Sequence, residues 1–265
     1  GSLEIVLEKL KSLSKSLEKN GTQSIIKFNN SIKFKNVYFK FGESKEYIIK
    51  NLNFKLPVNK SIAFVGKSGA GKTTLANLIC LLLKPTLGDI YIDNLNTSEI
   101  EINSWRDNIG YVSQETTIFD DTIANNISLS FSKEKVKKGI FSRIKDAASL
   151  ANIDKFIETL PDGYQTYVGG NGLRLSGGQR QRIFIARELF RKPKLLILDE
   201  ATSALELKDP IKTILNLSFF FKIIFFPLPT WGKKEGKKRF GFLIDSAYFF
   251  HFGEHTIIPS NFLKL

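Results

Sequence analysis

Methionine is absent from this 265-residue chain, cysteine occurs once and histidine only twice. The lone Cys80 excludes an internal disulfide and any cysteine-based metal centre, and it accords with a reducing compartment. Because it lies in the apolar run Leu78 to Leu83, core packing is its expected role. A long hydrophobic run is lacking too. The most apolar stretch, Phe219 to Phe226, is interrupted by Lys222 and followed by Pro227, well short of the roughly 20 apolar residues of a membrane helix. With Gly1-Ser2 in front, no methionine and no signal-peptide pattern, the sequence is expected to be a processed or excised fragment. Acidic residues are in deficit, 26 against 39 Lys and Arg. The resulting formal charge of +13 calls for an anionic partner, whether nucleotide, nucleic acid or lipid headgroup. What is there looks like an ordinary soluble body: 42% hydrophobic and 25% charged residues exclude wholesale disorder and a multi-span membrane protein. The length suits one large domain or two small ones.

Leu3, Val6, Leu10, Leu13 and Leu17 recur at spacings of three and four, the stripe of a lead-in helix over residues 1–22 that ends near Asn20-Gly21. Residues 25–64 read as strands, with alternation in Ile32-Lys33-Phe34-Lys35-Asn36-Val37 and turns at Gly42-Glu43-Ser44 and Pro57-Val58-Asn59. An antiparallel β subdomain is expected there. Ser61 to Val65 is a buried-strand run, followed by a Gly-rich turn and a helical stretch from Lys72 to Leu83. Helical pattern dominates from about Ile118 to Leu160, with Ile144, Ala147, Ala148 and Ala151 on one face, and ends at Pro161-Asp162-Gly163. This predicts an inserted helical subdomain over about 115–185. Leu195 to Leu198 is a second buried strand, and α/β alternation around it implies a central, mainly parallel sheet.

Gly66-Lys67-Ser68-Gly69-Ala70-Gly71-Lys72-Thr73 matches GxxxxGK[ST] at every fixed position. Glycines there let backbone amides turn around phosphates without Cβ clashes, and the helix opening near Lys72 points its positive end at them. Lys72 adds a mobile charge, the Thr73 hydroxyl can ligate Mg²⁺, and Thr74 stands beside it at the helix start. Strand before and helix after are the context such a loop requires, so ATP binding with Mg²⁺ is expected. Asp199 closes the strand Leu195 to Leu198, where a phosphate-loop protein keeps its metal-holding carboxylate. Glu200 follows directly and suits a general base that polarises the attacking water.

At Leu175-Ser176-Gly177-Gly178-Gln179, followed by Arg180-Gln181-Arg182, the chain carries the LSGGQ signature. In this it resembles the nucleotide-binding domains of ATP-binding cassette exporters. The resemblance implies that Ser176, Gly177, Gly178 and Gln179 close over the ATP held by a second such domain, identical or not. A second anion-binding helix start, on a helix from Gln179 to Leu189, is expected there. It also implies that Phe41 stacks on adenine, with Tyr38 as the nearby alternative. Gln114 is implied to touch Mg²⁺ and the attacking water and to link the site to a membrane domain. The segments 118–127 and 166–169 resemble exporters more than importers. The family reading assigns residues 1–22 as a linker from a transmembrane domain, 23–208 as the ATP-binding domain, and the cytoplasmic face of a membrane as its place.

Departures accumulate after that. The family's Ser-Ala-Leu-Asp is here Ser203-Ala204-Leu205-Glu206, and the acidic residue that it has after Val168-Gly169 is Gly170. Roughly thirty residues beyond the catalytic glutamate the family has a strand and a histidine contacting the γ-phosphate, whereas this chain reads Pro229-Thr230-Trp231-Gly232, and His251 and His255 come later. Residues 209–265 therefore read as a divergent tail, frameshifted or degenerate, that leaves the sheet and the hydrolytic site incomplete, with a genuine adapted tail as the alternative. Two other readings are a soluble cassette ATPase acting on nucleic acid and a nonfunctional ATP-binding fragment. The short interval between phosphate loop and signature disfavours the former, and no nucleic-acid partner is expected.

Overall fold

A computed structural model describes residues 4–6, 8, 20–58, 61–66, 69–113, 117–129, 138–169, 175–199, 221–227, 250–252 and 255–259. The first layer is an antiparallel sheet of β1 (Ser31–Phe39), β2 (Ile49–Pro57), β4 (Leu87–Ile92) and β5 (Leu95–Asn96), in the order β2-β1-β4-β5. Ile32, Phe34 and Val37 are buried while Lys33 and Lys35 are exposed, the inside-outside alternation expected of a half-buried sheet. Phe34 pairs with Phe54 across the β1–β2 ladder, and their rings stack at 4.8 Å. The first two strands follow the expectation. The later pair, β4 and β5, was not anticipated, although Ile90 and Ile92 turn inward in the same alternating way.

Among the described residues six strands make the second sheet: β3 (Ser61–Gly66), β6 (Ile109–Val112), β7 (Leu195–Asp199), β8 (Phe221–Pro227), β9 (Phe250–Phe252) and β10 (His255–Pro259). Their order is β6-β7-β8-β3-β10-β9, and every pairing except β9 with β10 is parallel. Around them run α1 (Lys72–Ile79), α2 (Ile102–Arg106), α3 (Ile123–Ser128), α4 (Lys138–Leu150), α5 (Asp154–Glu158) and α6 (Gly177–Phe190). Strand β7 is the wall between two cores. Leu195 and Ile197 join the core that holds α1 and the antiparallel sheet, whereas Leu196 and Leu198 join that of α3, α4 and α6. Period-two alternation produces this split. With each buried aliphatic side chain contributing about 1.5–3 kcal/mol, both layers are fastened to one strand.

Several boundaries differ from the sequence reading. Helix α1 stops at Ile79 rather than Leu83, because Leu81 adopts a left-handed φ of 55° and the Leu82 and Leu83 amides turn back to the Asn77 carbonyl. The helical region from Ile118 is broken by left-handed residues at Leu129 and Asn152. Of the lead-in helix, residues 4–6 and 8 are helical and exposed. By Asn20 the chain has left the helix, and the Asn20 side chain accepts a hydrogen bond from the Ile102 amide at 2.6 Å.

The largest correction concerns the tail. It was expected to leave the sheet incomplete, but β8 fills the place between β7 and β3, and β10 flanks β3 on its other side. Its physical basis is the β-branched and aromatic run Lys222-Ile223-Ile224-Phe225-Phe226, too short for a membrane but suited to a central parallel strand. In register, Pro227 lies opposite Gly66 and His255 opposite Ser61. No helix among the described residues is long and apolar enough to cross a membrane.

Candidate functional site

At the end of β3 the chain turns through Gly69 at φ 76° and Gly71 at φ 86°, conformations that glycine adopts without a Cβ penalty. Gly71 is required for a second reason, since a Cβ there would come within 3.1 Å of Ile48 Cγ2 in the β1–β2 connection. It caps α1 with no side-chain hydrogen bond, and a helix start capped by glycine suits an anion. Ala70, Lys72 and Thr74 are buried and Thr73 is exposed. Lys67 and Ser68 lie outside the described residues, as do Gln114 and Glu200.

Asp199 ends β7 on the same face as Leu195 and Ile197, the face packed by α1. It is buried. The Tyr111 hydroxyl donates to its Oδ2 at 3.2 Å, while Oδ1 has no hydrogen-bond partner. Burial, followed by the charge of Asp199, pushes the Tyr111 phenol well above its ordinary pKa, so it remains a donor. Tyr111 also receives help on its backbone: its amide donates to the buried Glu188 carboxylate of α6. Burial raises the Glu188 pKa despite the opposing influence of Arg191.

Phe41 is exposed just beyond β1, with its ring edge-on to Phe39 at 4.9 Å, in the connection whose Ile48 touches Gly71. Tyr38, the alternative ring, is partly covered by Tyr47 at 5.4 Å. At the signature, the structure begins the helix two residues earlier than expected, so Gly177 and Gly178 form its first turn. A capping box causes this: Ser176 Oγ accepts from the Gln179 amide at 3.2 Å, and Gln179 Oε1 accepts from the Ser176 amide at 2.8 Å. Gln179 thus holds the turn. Ser176 and Gly177 are exposed, and with its lone pair engaged the Ser176 hydroxyl retains its proton to donate. Ser176 stands at the start of α6, the end away from the loop that leads into β7. Helices α1 and α6 belong to opposite faces of that strand.

The sequence reading missed Arg187. Buried in α6, its guanidinium donates to the Asn126 carbonyl at 2.7 Å, the Thr117 carbonyl at 2.9 Å and Asn126 Oδ1 at 3.0 Å, and it stacks between Phe119 and Phe184. Asn126 in turn accepts from the Phe119 amide and donates to the Phe119 and Thr122 carbonyls. The segment downstream of Gln114 is therefore pinned to the signature helix. An arginine in a helix that otherwise presents Ile183 and Ala186 to the core was the available signal.

A family model described as ABC transporter matches residues 49–203, more than half of the chain. The chain belongs to the ABC transporter family. Among its relatives are the ATP-dependent lipid A-core flippases of Haemophilus influenzae (42% identical over 187 residues, covering 71% of this chain and 31% of that protein) and Coxiella burnetii (42% over 197 residues, 74% and 33%). ABC transporter B family member 29, chloroplastic, from Arabidopsis thaliana is 42% identical over 194 residues, 73% of this chain and 30% of that protein. A solved bacterial Atm1-family ABC exporter with ATP bound superposes with a TM-score of 0.71 at 32% identity, covering 84% of this chain and 39% of that one. The chain spans about a third of the length of the curated relatives it matches.

As the ATP-binding domain of an ABC transporter, the molecule has the P-loop fold with mixed α/β content. Among the described residues no three His, Cys, Asp or Glu side chains gather into a metal cage. The donors on offer are the exposed Thr73 hydroxyl and the orphaned Oδ1 of Asp199, a set that suits Mg²⁺ sharing its shell with substrate phosphates. A cavity of about 750 Å³, lined by Lys27, Phe28, Arg143, Leu150, Phe190 and Lys194 among others, lies at the opposite end of β7. None of the candidate site residues lines it.

Proposed function

We propose that this domain of an ABC transporter binds MgATP, pairs face to face with a second such domain, and hydrolyses ATP to drive export through a transmembrane partner at the cytoplasmic face of a membrane. One observation carries the reading. Two anion-receptive helix starts, at Gly71-Lys72 and at Ser176-Gly177, open helices that pack in separate cores on opposite faces of β7. A single molecule thus offers half of each of two sites. Relatives named as flippases and an exporter support the transport direction, while the choice of substrate belongs to the membrane partner.

In this reading the phosphate-loop amides and Lys72 hold the β- and γ-phosphates, Phe41 stacks on adenine, and Ser176 to Gln179 close over the partner's nucleotide. Thr73, Asp199 and Gln114 hold Mg²⁺, which neutralises phosphate charge when bound. Glu200 takes the proton of the attacking water. The antiparallel sheet serves as the N-terminal β subdomain, α3 to α6 as the inserted helical subdomain, and residues 1–22 as the lead-in from the membrane. Slowed hydrolysis is part of the proposal, supported by Phe226 and Pro227 standing at the strand end opposite Val65 and Gly66.

Nucleotide titration of Lys72→Ala tests the core of it. Removing a charge-assisted hydrogen bond costs about 1.5–3 kcal/mol, a weakening of roughly ten- to hundredfold. Equal ATP affinities for the two proteins would overturn the phosphate-loop assignment.

A further inference from the structure

We propose that Tyr111 is a positioning residue for the Mg²⁺-holding carboxylate: its hydroxyl fixes Asp199 through Oδ2 so that Oδ1 is presented to the metal. The inference rests on the reading of Asp199 as a metal-holding group given above. Three observations converge on it. Tyr111 and Asp199 stand at the ends of neighbouring parallel strands, with Tyr111 opposite Ile197 and the Asp199 carboxylate one residue beyond the last β6–β7 pair. The phenol donates to one carboxylate oxygen at 3.2 Å while the other is buried and without a partner. A buried carboxylate oxygen left without a donor is costly in an otherwise satisfied core, and a cation or its bound water removes that cost.

Tyr111 is itself held at both ends. Its backbone amide donates to Glu188 on α6, and its ring packs against the core that contains Leu195 and Ile197. The hydroxyl therefore has little freedom to follow the carboxylate if it rotates. Partial rotation of Asp199 would break this hydrogen bond, and a half-turn only exchanges two equivalent oxygens, so the phenol fixes the carboxylate plane and leaves one oxygen facing the metal. Tyr111 also lies three residues before Gln114 in the sequence, so the hydrogen bond ties the two segments that carry the proposed metal contacts. Outer-sphere partners of this kind set ligand orientation, and their loss typically weakens metal binding by about ten- to a hundredfold.

The test uses the 265-residue chain and measures ATP affinity by calorimetry with Mg²⁺ titrated from zero (EDTA) to saturation. Wild type, Tyr111→Phe, Asp199→Asn and the double variant are compared. Tyr111→Phe keeps the ring, and is expected to leave ATP affinity in EDTA unchanged while raising the Mg²⁺ concentration at half effect on the order of tenfold. In the Asp199→Asn background the same change is expected to have no further effect. An unaltered Mg²⁺ midpoint in Tyr111→Phe, or an equal loss of affinity with and without Mg²⁺, overturns the positioning role. If instead Asp199→Asn retains the wild-type Mg²⁺ dependence, the assignment of Asp199 as the metal-holding group fails, and the inference fails with it.

Discussion

Glu188 shows how a single side chain can serve structure at the expense of its own charge. Its carboxylate accepts the Tyr111 amide at β6, the edge strand of this sheet among the described residues, and so covers backbone that would otherwise stay open there. Burial there raises its pKa above 4.5. A carboxyl whose folded pKa is raised binds its proton more tightly when folded, so its contribution is fully present below pH 4.5 and is lost as pH rises through the higher folded value. Glu188→Gln keeps an acceptor for the Tyr111 amide and removes the titration. We expect the variant to gain stability relative to wild type as pH increases above 4.5 and to hold that advantage at neutral pH. Urea unfolding of both proteins from pH 4 to pH 8 checks it, and a constant difference across the range would contradict the assignment.

Elements in this fold carry more than one task, and α6 carries three. Its N-terminus is the capped signature turn, its middle seals one face of β7, and Arg187 reaches out to hold the segment after Gln114. Replacing Arg187 with alanine leaves the buried Asn126 carbonyl without its guanidinium donor and takes one of two donors from Asn126 Oδ1, a loss of about 2–4 kcal/mol. Thermal or urea unfolding of Arg187→Ala is expected to show that loss, while Arg180→Ala, whose partner is the Leu175 carbonyl at 2.7 Å, is expected to lose less than half as much. Equal effects would remove the special place of Arg187. Legibility followed the same division of tasks. The phosphate loop, the strand to Asp199 and the signature were readable because each needs fixed residue types at fixed spacing. Arg187, Asn126 and Tyr111 were not, because their roles depend on which segments meet in space. The α1 boundary escaped for a local reason: Cys80 to Leu83 is as apolar as the helix before it, and only the left-handed Leu81 marks the stop.

For the whole molecule, the decisive matter is what the tail supplies. It contributes strands to the sheet, with β8 between β7 and β3; the apolar run Phe219 to Phe226 is legible as hydrophobic, but its length against a membrane helix says nothing of a strand. At the end of β8, beside Gly66, the register brings Phe226 and Pro227 rather than a histidine. Of the chain's two histidines, His255 stands opposite Ser61 and His251 pairs beside it. That is the other end of β3 from the phosphate loop, roughly 16 Å away over five residues of strand. Phosphoryl transfer depends on positioned polar groups around the transferring phosphate, and removing one commonly costs on the order of 10² to 10³ in rate while ground-state binding survives. We therefore expect this chain to bind MgATP normally and to release phosphate slowly. The comparison is a chain whose residues after Leu205 are replaced by an ABC transporter ending that carries the histidine. The replacement should raise steady-state phosphate release on the order of a hundredfold, with MgATP affinity changed only a few-fold, and Glu200→Gln should abolish release in it. Comparable turnover in both chains, lost in both on Glu200→Gln, would mean that the tail as it stands completes the hydrolytic site by other groups.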